Sequence, residues 1–287
     1  MIYPLVLELA EDRIPVKVTC RVLKISRQGF MKWRRNPISK QVWEDAHLTN
    51  LLFDLHAEDP MYGYRFLADE VGRLGFKASE RRIWRLCSQQ GLFSLHSRKR
   101  GLNRKPGPAV HDDLVRRVFK SAGVNQLWLT DVTEHPTNEG KLYLCAVKDV
   151  YSNRIVGYSI DSRMTAQLAV SALRNAVRLR DPKGTVVHSD RGSQFRSNAF
   201  LAELRLHGLV GFMGRVGACA DNASMELFFS LLQKNVLNQQ RWATREELRL
   251  AIVVWIEKKY HRSRRQRALG RFTPVEFEIL EPVFKAA

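Results

Sequence analysis

No run of about 18 apolar residues occurs anywhere in the 287-residue sequence, so composition offers no membrane-spanning helix. The opening stretch, 1–11, is partly apolar but has neither a basic leading segment nor a small-residue cleavage pattern, and it does not read as a secretory leader. The expected compartment is the cytoplasm. Cysteine is scarce: Cys20, Cys87, Cys145 and Cys219 include no close pair, which excludes a disulfide framework and a zinc knuckle. None of the eight histidines stands at zinc-finger spacing from a cysteine. Any contact with nucleic acid must then come from helices and basic surfaces. Acidic residues are in the minority, 29 against 47 lysines and arginines, and the net charge of +18 favours a polyanionic partner. Charge alone does not separate nucleic acid from a membrane surface or a ribosome.

Periodicity divides the chain. Over 15–33 the pattern is short helix, turn, short helix, with Val18, Val22 and Leu23 apolar at helical spacing and Ser26 placed to cap a helix carrying Phe30 and Trp33. A small helix-turn-helix and a plain helical packing unit both fit this segment. Residues 41–56 carry a stripe of Leu48, Leu51, Leu52 and Leu55, and the next predicted helix presents Phe66, Leu67 and Val71 before Gly75 closes it. Ser79 is placed to cap 80–90, with Ile83, Trp84, Leu86 and Cys87 on its inner face and Arg81, Arg82 and Arg85 elsewhere. Two helices joined in this way can set the second in a DNA groove. The stretch 97–108 is basic, rich in glycine and proline, and free of apolar periodicity, which marks a linker. The expected organisation is a helical helix-turn-helix DNA-binding region over 1–96, a basic linker over 97–112, a catalytic core over 113–240 and a basic helical extension over 241–287.

Beyond the linker the character changes to alternating strand and helix. Strands are predicted over 126–132, 142–150 and 155–160, with Ser152 and Asn153 turning between the last two, so that these three form an antiparallel meander. A helix over 165–179, with Leu168, Ala172, Leu173, Ala176 and Leu179 inward, leads to a short strand over 185–189 and a helix over 197–207. A strand over 209–213, a loop over 214–221 and a helix over 222–238 complete the pattern. The expected fold is α/β, a mixed five-stranded sheet flanked by helices.

Three carboxylates stand out in this domain. Asp131 is predicted at the end of the first strand and Asp190 just after the fourth, which brings both to one edge of the sheet if those strands run in the same sense. Glu226 belongs to the first turn or so of a helix opened by Asp221, Asn222 and Ala223, on a face with Ser230 and Gln233 and away from Leu227, Phe228 and Leu231. Hard carboxylate oxygens suit Mg²⁺ or Mn²⁺, and two ions about 3.5 to 4 Å apart activate an attacking hydroxyl and stabilise the leaving oxygen in phosphoryl transfer. Such chemistry depends on positioning and charge neutralisation, so it needs no Ser-His-Asp or Cys-His arrangement. Singly, each acid is equally an ordinary turn or helix-cap residue.

Local context separates these readings. Pro60-Met61-Tyr62-Gly63-Tyr64-Arg65, Asn125-Gln126-Leu127-Trp128 leading into Thr130-Asp131-Val132-Thr133, and His188-Ser189-Asp190-Arg191-Gly192-Ser193-Gln194 recur with Asp221-Asn222-Ala223, Glu226, Phe228-Phe229, Leu269-Gly270 and Thr273-Pro274-Val275-Glu276-Phe277. In these elements, and over nearly its whole length, the chain resembles the integrase-core transposases of bacterial insertion sequences, in particular the second-frame protein of the insertion-sequence-three family. The resemblance implies a ribonuclease-H-like core in which Asp131, Asp190 and Glu226 form the acidic triad that binds the metal. It implies cleavage of donor DNA followed by attack of the freed 3′ hydroxyl on another phosphodiester, the first attack joining one transposon end to the other. It also implies a homo-oligomer working on transposon-end and target DNA, with an upstream-frame protein or fused segment supplying end recognition. Where the family usually has serine after the glutamate, this chain has Leu227.

Supporting residues carry two readings each. His188 and Gln194 flank Asp190 and are either helpers near metal and phosphate or a packed strand histidine and a loop amide; Asn222 is either a helix cap or a DNA contact. Lys258, Lys259, Arg262, Arg264, Arg265 and Arg267, with Tyr260 among them, are expected to meet backbone phosphates, as are, with less support, Arg98, Lys99 and Arg100. Two other functions remain open on the sequence: a nuclease of the same fold that cuts without joining, and a non-catalytic DNA-binding protein.

Overall fold

Among the described residues six helices open on a hydroxyl: Ser26, Ser39, Ser79, Ser197, Thr244 and Thr273 each accept a hydrogen bond from the backbone N–H three residues on, at 2.9 to 3.2 Å. The computed structural model describes residues 2–37, 39–95, 121–190, 192–213 and 223–286. It divides into two compact units, Met1–Leu95 and His96–Ala287.

The first unit is all helix. α1 (Tyr3–Glu11), α2 (Val16–Val22) and α3 (Arg27–Arg35) close on a small core of Val6, Cys20 and Phe30. Val18 and Val22, two of the three residues in the apolar stripe read from the sequence, are exposed, and Thr19 and Cys20 are buried instead. The face of so short a helix is chosen by its neighbours, and α1 and α3 admit the small Cys20. α4 (Lys40–Glu58), α5 (Tyr64–Arg73) and α6 (Glu80–Gln90) build a second core from Leu48, Leu52, Leu55, Leu67, Val71, Ile83, Leu86 and Cys87. Trp84, expected to point inward, is half exposed, because Ile83, Leu86 and Cys87 already fill the inner stripe and Trp84 lies about 100° round the helix from Ile83. Arg82 and Arg85 turn back to Asp45, at 2.7 and 2.6 Å, and Arg82 also reaches Glu44 at 3.3 Å. Desolvation pushes the Asp45 carboxyl up, but the hydrogen bonds and charges of the two arginines outweigh it and hold the group below its ordinary value.

The second unit is built on a five-stranded sheet. β1 (Leu127–Thr137), β2 (Gly140–Asp149) and β3 (Ile155–Asp161) form the antiparallel meander, α7 (Ala166–Arg180) crosses over, and β4 (Val186–Ser189) returns parallel to β1. α8 (Asn198–Leu206) leads to β5 (Val210–Met213), parallel to β4, giving the order β3-β2-β1-β4-β5. α9 (Ala223–Leu232) runs into a π-helical turn, Gln233–Leu237; α10 (Arg245–Val254) runs into another, Trp255–Tyr260; α11 (Pro274–Ala286) follows.

Alternation along the strands sends side chains to two cores. Trp128, Cys145, Val147, Val156 and Val187 meet Leu168, Leu173 and Ala176 of α7 and Phe200 and Leu204 of α8. Leu129, Leu142, Leu144, Ala146 and Ile155 meet Met225, Phe228 and Leu232 of α9 and Leu248, Ile252, Ile256 and Tyr260 beyond it. Leu179, expected on the inner face of α7, is exposed because the neighbouring Arg180 turns the last turn toward the Glu278 carboxylate. Tyr260 and His261 are both buried at the β2–β3 turn, where the Tyr260 hydroxyl donates to the Asn153 carbonyl at 2.8 Å and His261 Nε2 accepts from the Ile155 N–H at 3.2 Å. The wider winding of the π turn lets successive residues reach one target.

β3 passes α7 at Gly157, where a Cβ would stand 2.4 Å from the Ala172 carbonyl oxygen and 2.5 Å from the Ala176 nitrogen. Backbone on both sides cannot yield like a side-chain tip. Gly157→Ala is expected to lower stability by about 3 kcal/mol, at the upper end of the overpacking range, and urea titration of the variant against wild type measures it.

Candidate active site

Asp131 sits within β1 and not at its end, as the sequence implied, because β1 runs on as a hairpin with β2. What ends beside it is the parallel partner. The last β1–β4 pair is Thr130 with Ser189, so Asp131 and Asp190 are the next residues on adjacent parallel strands. Asp131 shares the parity of Leu129 and stands opposite Ala146, and both of those belong to the core that α9 covers. Val187 faces the α7–α8 side, which turns His188 toward the other. Burial pushes the Cys145 thiol up to about 12, and the negative charges of Asp131 and Asp190 act in the same direction.

The Asp190 turn is tightly wound. Asp190 Oδ1 accepts from the Gly192 N–H at 2.9 Å, and a Cβ on Gly192 would stand 2.9 Å from that oxygen and 2.7 Å from Gln194 Oε1. The Asp190 carboxylate and the Gln194 amide oxygen thus converge on residue 192. His188 is buried behind this turn with its ring tilted against Phe212, centroids 5.5 Å apart. Asp131 is half-buried, with Oδ1 accepting from the Val132 N–H at 2.8 Å, and Asp190 is exposed.

Glu226 is exposed on α9, whose buried stripe is Met225, Phe228 and Leu232. Leu227, expected to turn inward, is also exposed, since that stripe leaves it on the outer side. Beneath the first turn of α9 lies a group the sequence reading passed over. Lys148, opposite Leu129 in the sheet, donates from Nζ to Ser224 Oγ at 2.7 Å and to the Ser224 carbonyl at 3.0 Å, and burial pulls its pKa down to about 7. The available signal was a lysine at an inward position of an otherwise apolar strand. Among the described residues, no three histidine, cysteine, aspartate or glutamate side chains stand close enough together to hold a metal ion. The two aspartates are neighbours; Glu226 is not gathered with them.

Of the basic residues, Lys258, Arg262 and Arg267 are exposed, while Lys259, Arg264 and Arg265 are half-buried. Arg265 grips both oxygens of Glu276, at 2.6 and 2.8 Å, which ties the chain before the Gly270 turn to α11. Its guanidinium is committed to that internal clamp. Arg98, Lys99, Arg100 and Asn222 lie outside the described residues.

Comparison with known proteins gives two family matches: an integrase core domain over residues 121–219 and a helix-turn-helix-like domain over residues 43–100. The chain is 34% identical over 278 residues to "Transposase InsF for insertion sequence IS3A" of Escherichia coli (strain K12), covering 95% of this chain and 96% of that one. It is also 34% identical over 262 residues to "Insertion element IS600 uncharacterized 31 kDa protein" of Shigella sonnei, covering 90% and 96%. Among solved structures, the HTLV-2 integrase catalytic core domain in complex with magnesium matches at a TM-score of 0.43 and 16% identity, over 55% of this chain and 99% of that chain. The catalytic core domain of BIV integrase matches at a TM-score of 0.43 and 18% identity, over 57% and 99%.

Proposed function

The chain belongs to the IS3 family of insertion-sequence transposases, and we propose that it carries out DNA cleavage and strand transfer at a divalent-cation site formed by Asp131, Asp190 and Glu226. The observation that carries this reading is the placement of Asp131 and Asp190 on adjacent parallel strands at the point where their pairing ends, on the side of the sheet covered by α9. Carboxylate oxygens are the donors that Mg²⁺ and Mn²⁺ prefer, so the pair fits such an ion. Glu226, exposed on the first turn of α9, is the third carboxylate of the set. A bound cation, or two, supplies charge stabilisation at the phosphate oxygens.

The chain's own residues have the remaining tasks. Asp190 is fixed by the Gly192 N–H, and Gln194 is held beside it through the same turn. His188, buried just before that turn, packs its ring on Phe212 of β5. Lys258, Arg262 and Arg267 supply exposed cations to phosphates, a salt-sensitive and sequence-independent contribution to holding DNA. Attack on phosphorus by water, and then by the freed 3′ hydroxyl, expels a 3′ oxygen each time and needs no enzyme-bound intermediate. The working form is a homo-oligomer on DNA, with end recognition shared with an upstream-frame protein or fused segment. Among the described residues no helix is long and apolar enough to cross a membrane.

Incubating the purified chain with labelled transposon-end DNA and Mg²⁺ tests the reading. Joined products are expected. Cut ends without joining would make it a nuclease, and a bound but unaltered duplex would make it a DNA-binding protein only.

A further inference from the structure

The three helices ahead of the helix-turn-helix-like segment leave a charged surface that neither family match covers. α2 has seven residues and α3 nine, joined through Leu23, Lys24, Ile25 and Ser26. Lys24 takes a left-handed conformation (φ 52°), Ile25 donates its N–H back to the Cys20 carbonyl at 3.0 Å, and Ser26 caps α3. The small side chain of Cys20 lets α2 approach α3 at Phe30, and the Tyr3 ring stacks on Trp33 with centroids 5.5 Å apart. This is the construction of a helix-turn-helix, in which the second helix is held away from the body by a short turn and a compact core.

α3 has a packed side and a charged side. At 100° per residue, Gly29, Phe30 and Trp33 occupy one, and the other carries Arg27, Gln28, Lys32 and Arg35, with Arg34 at its border, about 40° round from Phe30. All five of the latter are exposed, and among the described residues none of the four cations forms an ion pair. α3 contains no acidic residue. α6, in the helical core that follows, is different: two of its three arginines, Arg82 and Arg85, are spent on Asp45 and Glu44. Its outward face keeps Arg81 and Trp84.

We propose that α3 is a DNA-reading helix in its own right, seated in the major groove of duplex DNA with Arg27, Gln28 and Lys32 toward base edges and Arg34 and Arg35 toward phosphates. Arginine and lysine recognise guanine there and glutamine recognises adenine, by hydrogen bonds on the edge that distinguishes the base pairs. The proposal rests on the reading of the chain as a DNA-acting transposase and assigns part of its end recognition to residues 16–35.

The test uses the full chain with Arg27→Ala, Gln28→Ala and Lys32→Ala combined. Affinity is measured at one fixed salt concentration for a duplex carrying the insertion sequence's own terminal repeat and for a scrambled duplex of equal composition. Loss of about 10-fold or more on the terminal repeat, with a smaller loss on the scrambled duplex, is the expected result. An equal loss on both would make these residues phosphate contacts and overturn base reading. Unchanged affinity for both, or equal competition by duplex RNA, would overturn the groove assignment. The three side chains are exposed and alanine favours helix, so an unchanged melting temperature is expected and excludes misfolding as the cause. If wild type neither binds nor joins DNA, the transposase reading fails first; if wild type joins ends and the triple variant binds them as well as wild type, only the assignment of α3 fails.

Discussion

Glu226→Gln is expected to reduce joining of transposon ends by more than about 100-fold, the scale on which a fixed electrostatic stabiliser of a transition state is lost, while retention of DNA stays at the wild-type level. The amide keeps the size and shape of the carboxylate and removes its charge, so the variant isolates that charge. α9 is held by Met225, Phe228 and Leu232, which are buried, whereas Glu226 is exposed, and the substitution leaves this packing intact. DNA retention depends on cations elsewhere, of which Lys258, Arg262 and Arg267 are exposed. Gel separation of joined, nicked and unreacted labelled DNA, beside a filter-retention measurement, gives both quantities from one preparation. Wild-type joining by this variant would remove Glu226 from the site. Asp190→Asn should behave in the same way, and if it alone abolished joining the site would be a two-aspartate one.

The separate fates of the three acids show what a sequence can carry. Asp131 and Asp190 were legible because strand alternation and a β-α-β return are both written in local apolar pattern, and together they set two residues side by side with no knowledge of loops. The end of β1 was not legible. Its continuation, Thr133 to Thr137, contains Glu134, His135 and Pro136, which give no apolar alternation, and it is a strand because β2 pairs with it as far as Thr137 and Gly140. The third acid was legible as a helical residue sharing an exposed face with Ser230 and away from the buried Phe228, but the side taken by its neighbour Leu227 was not. Leu227 and Met225 are equally apolar, and only packing against Leu129 and Ala146 selects Met225 for the core. Both π-helical turns escaped for a related reason: one extra residue in a helix leaves the apolar pattern readable as an ordinary helix, so a single helix over 222–238 was expected where α9 ends at Leu232. In the first unit the helix starts were read correctly from Ser26 and Ser79, because capping is a local event between residues three apart.

Lys148→Met should move stability and activity in opposite directions. An amine buried in the sheet core is held near a pKa of about 7, while in the unfolded chain it returns to the ordinary 10.5. Between those values the unfolded chain binds the extra proton, so stability contributed at this position rises with pH from about 7 to 10.5 and is lowest below 7. Methionine abolishes that dependence. At pH 7.5 the variant is expected to be the more stable protein, by no more than about 4 kcal/mol at 1.36 kcal/mol per pKa unit, less about 1 kcal/mol for the hydrogen bonds lost at Ser224. Joining should nevertheless fall by about 10- to 100-fold, the usual cost of removing a group that orients a ligand from behind. The reason is geometric: Nζ ties the carbonyl and hydroxyl of Ser224 to β2, and Ser224 precedes Glu226 by two residues in the first turn of α9. Urea titrations at pH 7 and pH 9 beside joining assays separate the two effects. A variant that lost activity together with stability would make Lys148 a plain structural residue, and one that gained stability with full activity would mean that Glu226 needs no anchor beneath it. Ser224→Ala supplies the internal control, since it removes one of the same two hydrogen bonds and leaves the lysine in place, so its joining should fall in the same direction without the gain in stability.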